Sequence, residues 1–149
     1  MTETDPAVVS RALGLLREAD EMLTPDTWTT QSFARDGDQS HCDSTSPRAE
    51  HWCLVGALNA ATHRAKVRHY GVPADSRIIT EQDARYAPAR RAALEALTAT
   101  LADVAGIDPA DYATPAACLT GFNDFGCDDV SGIKRLIALT LQRLALLPK

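Results

Sequence analysis

The chain has 149 residues, 45% of them hydrophobic and 23% charged, with a formal net charge of −5. At that length one domain hides about 68–70% of the surface its unfolded chain exposes, so no disulfide or metal staple is required. No apolar run approaches the roughly 18 residues of a membrane span, and the basic residues are interleaved with acids instead of forming a stripe, which argues against membrane and nucleic-acid partners.

The first residues, MTETDPAVVS, are acidic and polar where a secretory signal is basic and then apolar. The expected location is therefore cytoplasmic. Four cysteines (Cys42, Cys53, Cys118, Cys127) are scattered through the chain and are expected as reduced thiols.

In chain order, Val8, Ala12, Leu15, Leu16, Ala19, Met22 and Leu23 recur at spacings of three and four, which predicts a helix over residues 5–23. Asp5 is its N-cap with Pro6 at the first helical position, and Thr24-Pro25 stops it near Leu23. Trp28 to Phe33 suits an extended segment, and Arg35-Asp36-Gly37-Asp38 suits a tight turn. A short β-hairpin near residues 28–42 or an irregular loop both fit this stretch. Ser46-Pro47 reads as the start of a second helix, central at 48–66, whose apolar residues from Trp52 to Ala61 leave almost no polar face. Gly71 and Pro73 end it. Residues 71–87 read as a surface loop or insertion.

Pro88 then opens a long helix with a stripe of Leu94, Leu97, Leu101 and Val104, closed by Gly106. A short helical turn runs from Thr114-Pro115 to Gly121. "GFNDFGCDD" leads into a last helix with an apolar face of Val130, Ile133, Ile137, Leu141 and Leu144. The expected fold is a mainly α single-domain bundle of four to five helices over residues 1–149.

Three chemistries compete for this chain. If Ser46 caps the second helix, Cys53 lies two turns inside it, too deep for the helix dipole to lower its pKa. The expectation is then an inert, buried thiol. As a nucleophile Cys53 would need a base, and on that helix His51 faces away while His63 and His69 are out of reach, leaving only His41. Asp36 and Asp124 are an alternative acid-base pair. A metal reading through His41, Cys42, His51 and Cys53, with Cys127 as a remote extra ligand, lacks the C-x₂₋₄-C or H-x₃₋₅-H spacing of zinc sites. No metal and no cofactor are expected.

The third chemistry is binding. Arg35-Asp36 and Asn123-Asp124 each lie beside an aromatic and near a glycine. They either make turn and cap bonds or, with Trp28 and Trp52, line one polar pocket for a small ligand or a protein partner's loop. Gly56, inside a helix at a cost of about 1 kcal/mol, is expected where another backbone comes close.

The order Trp28, "FARD" (33–36), "WCLVGAL" (52–58) and "FND" (122–124) resembles a family of small bacterial and phage proteins of unknown function. The resemblance runs from about Leu13 to Leu144. It picks out Trp28, Arg35, Asp36, Trp52, Cys53, Gly56, Ala57, Leu58, Asn123 and Asp124 as positions, and it carries no activity. The leading expectation is a binding or regulatory domain, with catalysis or metal binding as alternatives.

Overall fold

The computed structural model describes residues 5–71, 73 and 85–147. Among them are five α-helices: α1 (Pro6–Met22), α2 (Leu54–Tyr70), α3 (Ala87–Ala105), α4 (Pro115–Gly121) and α5 (Val130–Ala145). A two-stranded antiparallel sheet joins β1 (Ala34–Arg35) to β2 (His51–Trp52), pairing Ala34 with Trp52 and Arg35 with His51. The expected mainly helical architecture with a small β element is what forms. The 71–87 loop expected from sequence lies largely outside the described residues.

Local rules account for most helix ends. Asp5 accepts from the Ala7 amide at 2.9 Å with Pro6 following, and α1 stops where Leu23 turns extended. The α2 and α3 helices both end in left-handed glycines, Gly71 at φ 63° and Gly106 at φ 68°. The end of α1 also receives a distant cap. Lys134 on α5 donates from Nζ to the Asp20 and Leu23 carbonyls at 2.6 and 2.9 Å and pairs with the Asp20 carboxylate at 3.0 Å. An ammonium suits the negative end of a helix.

The α1 helix packs along α2, α3 and α5, and α4 closes against α2 and α3. Ala12, Leu15, Leu16, Ala19, Met22 and Leu23 are buried as their spacing predicts, and the first half of α2 is enclosed nearly all round. On α5 the face of Val130, Ile133, Ile137 and Leu144 is inside, joined by Leu136. Val104 departs from the α3 stripe: it is 58% exposed, because it falls in the last turn, beyond the helices that cover Leu94, Leu97 and Leu101.

The main correction concerns the start of α2. Ser46 caps only the Arg48 amide, in a turn that does not propagate. The chain instead runs extended, with the Glu50 amide donating to the Arg35 carbonyl at 2.9 Å and the Cys53 amide to the Phe33 carbonyl at 3.2 Å. Non-local strand pairing therefore overrides a local helix-start signal, and the central helix begins at Leu54, not near residue 48. His51 consequently stands on a strand, and Cys53 is the N-cap residue of α2.

The hairpin turn of 35–41 survives as a single bridge between Arg35 and His41, while the longer pairing of β1 is with β2 downstream.

Candidate functional site

The α4 helix does not stop at Gly121 but widens into a π-helical turn, Phe122–Gly126. That turn carries Asn123 into the interior, where it is 0% exposed. Its Oδ1 accepts from Trp28 Nε1 at 2.8 Å and from the Leu54 amide at 3.0 Å. Its Nδ2 donates to the Thr29 carbonyl at 3.1 Å and to Asp124 Oδ1 at 3.0 Å. Both amide protons and both lone pairs are thus used. One of these bonds satisfies a free amide at the start of α2, so Asn123 serves as a cap supplied from the far side of the chain.

Asp124 extends the grip. Its Oδ1 also accepts from the Gln31 amide at 2.8 Å, and Gln31 sits at φ 60°, a left-handed position that this bond from 93 residues away helps to hold. Arg35 closes the same loop from its other side, donating from Nε to Thr29 Oγ1, from Nη1 to the Gln39 carbonyl and from Nη2 to the Thr30 carbonyl, at 3.0, 2.9 and 3.2 Å. Asp36 Oδ1 accepts from the Asp38 and Ser40 amides at 2.9 and 3.0 Å, fixing the turn that follows. Trp52 Nε1 donates to the Ser44 carbonyl, and its backbone bridges to Trp28.

Trp28, Arg35, Asp36, Trp52, Asn123 and Asp124 therefore belong to one hydrogen-bonded clamp around residues 27–44. Five of them are occupied in holding it. Asp124 alone also lines an open cleft of about 620 Å³, together with Phe33, His41, Cys42, Thr120 and Phe125. Both of its bonds fall on Oδ1, which leaves Oδ2 without a partner among the described residues.

Cys53 is buried as expected, though not in mid-helix. It stands at the helix start, and its Sγ accepts from the Gly56 amide at 3.2 Å, a position that favours a thiolate. Burial outweighs that: the residue is 1% exposed and its thiol is pushed up to about 11, with the amides of Gly56 and Val55 pulling the other way and Asp124 adding to the rise.

Among the described residues no histidine bonds to Cys53. His51 Nε2 lies 3.1 Å from Gln39 Nε2, and His41 Nδ1 lies 2.7 Å from Ser32 Oγ. Ser32 Oγ donates to the Ala34 carbonyl at 2.6 Å, so His41 Nδ1 is the donor of that pair. Nor do any three His, Cys, Asp or Glu side chains among the described residues converge to hold a metal, so His41, Cys42, His51 and Cys53 do not form a ligand set.

A thiol reagent at neutral pH is expected to reach half-buried Cys42 and Cys127 slowly and to leave buried Cys53 and Cys118 untouched until denaturant is added. Mass mapping of the labelled peptides checks this, and rapid native labelling of Cys53 would restore the nucleophile reading.

The model of a family of unknown function, DUF6197, matches residues 8–126. The chain belongs to this family. The DUF6197 match encloses the whole clamp, from Trp28 to Asp124, and ends before α5 begins at Val130. No curated protein and no solved structure matches the chain.

Sequence reasoning missed three contributors to the candidate site: Gln31, Phe33 and Phe125. Phe33 and Phe125 are the aromatics beside the polar pairs, and they are 51% and 83% exposed. Two phenylalanines flanking the polar pairs were the available signal, but which way a ring points depends on the π-helical turn and the β1–β2 pairing.

Proposed function

We propose that this DUF6197 chain is a binding domain whose clamp holds a recognition loop, and that its ligand is a cationic group on an apolar stem, such as an arginine or lysine side chain of a partner. The observation that carries this reading is the pair of exposed rings, Phe33 and Phe125, on the cleft that also holds the unpaired Asp124 Oδ2. Exposed aromatics collected at a concave site are a mark of binding surfaces, and phenyl faces beside a carboxylate suit a cation. The burial and raised pKa of Cys53 and the use of Asp36 within its own turn speak against the catalytic alternatives. The order of Trp28, Arg35-Asp36, Trp52-Cys53 and Asn123-Asp124 is proposed as the scaffold of the domain.

The test is titration of the labelled protein with arginine amide and with phenethylamine, followed by NMR. Shifts are expected at residues 31–33, 41–42 and 120–125 and nowhere else. Phe125→Ala should change stability by no more than about 0.5 kcal/mol, as for other exposed side chains, while abolishing those shifts. Shifts scattered over the surface, or unchanged binding in Phe125→Ala, would remove the cleft as the site.

A further inference from the structure

The cleft that holds Phe33, Phe125 and Asp124 is also lined by Ser32, His41 and Thr120. Both hydroxyls have spent their protons: Ser32 Oγ donates to the Ala34 carbonyl at 2.6 Å and Thr120 Oγ1 to the Ala116 carbonyl at 2.8 Å. Ser32 Oγ can then only accept from His41, so Nδ1 of that ring carries a hydrogen. In the neutral imidazole the opposite nitrogen, Nε2, is left with a lone pair, and it has no partner among the described residues.

This ring is fixed from several sides. The His41 backbone bridges to Arg35, the Cys42 amide next to it donates to the Ala34 carbonyl at 3.1 Å, and Nδ1 is tied to Ser32. The cleft thus holds two free acceptors on anchored side chains, His41 Nε2 and Asp124 Oδ2. The field around them is acidic. On the cleft wall the Cys42 thiol is pushed up by burial and then by the Asp36 and Asp43 carboxylates. Asp36, Asp43 and Asp124 form no ion pair among the described residues, and Arg35 turns its donors to Thr29, Thr30 and Gln39.

Resting on the cation-binding reading above, we infer that the cleft selects an arginine side chain over lysine, with His41 as the residue that sets the preference. A guanidinium is planar and weakly hydrated, so it lies flat against a phenyl face while its edge N–H groups reach separate acceptors in its own plane. Asp124 Oδ2 and His41 Nε2 are those acceptors, one charged and one neutral. A lysine ammonium is a compact, strongly hydrated charge, and it gives up more water to enter a cleft walled by two phenyl rings. The neutral acceptor does the discriminating, because the carboxylate attracts both cations.

NMR titration of the full chain with acetyl-arginine amide and acetyl-lysine amide, at about pH 8 so that an ordinary imidazole is neutral, tests this. The arginine compound is expected to bind at least about fivefold more tightly. His41→Asn keeps a donor near the Nδ1 position for Ser32 and removes the Nε2 lone pair. It should weaken the arginine compound by about fivefold and the lysine compound by no more than about twofold. His41→Gln, which places an amide oxygen near Nε2, should restore part of the preference. Should His41→Asn alter the melt, the arginine-to-lysine ratio in the parent chain still decides. Equal affinities for the two compounds, both lost in Phe125→Ala, would overturn the selection of arginine and leave cation binding in the cleft standing. A preference that persists in a folded His41→Asn would overturn the part given to His41. Absence of shifts in the cleft with either compound would overturn both readings.

Discussion

Replacing Gly56 with alanine is expected to destabilise the protein by about 3 kcal/mol or more, visible as a fall of about 6–12 °C in the thermal melt. A Cβ at this position would stand 1.8 Å from the Phe33 carbonyl oxygen and 2.7 Å from its carbonyl carbon. Both are backbone atoms, so no side-chain rotation relieves the clash. The same carbonyl accepts the Cys53 amide at 3.2 Å, and moving it aside would loosen the join between the β1 strand and the head of α2. Helix propensity alone predicts the opposite sign, a gain of about 1 kcal/mol for Gly to Ala. A melt that is unchanged or raised would therefore show that the two backbones do not meet there.

Asn123→Ala is expected to cost about 4 kcal/mol. The change orphans three groups at once: Trp28 Nε1, the Leu54 amide and the Thr29 carbonyl. Each is worth about 1–3 kcal/mol when left unsatisfied in the interior. Denaturant titration measures the loss. Asn123→Asp separates geometry from charge, because the shape is kept while a carboxylate is buried against Asp124. Burial and the neighbouring carboxylate both raise the folded-state pKa of such a group above the ordinary value of about 3.9. Its neutral form is the one the fold tolerates, so the variant should lie closest to the parent below about pH 4 and fall away as pH rises. A gap between variant and parent that narrows with rising pH would contradict a buried position.

What could be read from the residues alone divides along the range of the forces involved. The caps at Asp5-Pro6, Gly71, Gly106 and Thr114-Pro115 involve atoms within four residues of one another, and each forms where it was expected. Ser46-Pro47 carries the same local signature and fails, because the Arg35 and Phe33 carbonyls compete for the amides that follow it. The polar site shows the same division. Its residues were identifiable, but Asn123 reaches Trp28 across 95 positions and Leu54 across 69, so its role as an interior bracket depended on the fold. That bracket makes Trp28, Arg35 and Asn123 supports of a cleft lined by half-buried Asp124 and exposed Phe33 and Phe125.

Lys134 has a consequence for how the molecule is made. The carbonyls that close the first helix wait for an ammonium that lies 111 to 114 positions further along the chain. As the polypeptide leaves the ribosome, α1 can coil early, but its final turn stays open to water until α5 has emerged. Pairings between distant parts of a chain also form slowly, since a long loop must close before they repay its lost entropy. Burial of α1 against α5 is thus a late event of biogenesis, and a ribosome stalled before residue 134 would carry a nascent chain whose first helix keeps an uncovered apolar side.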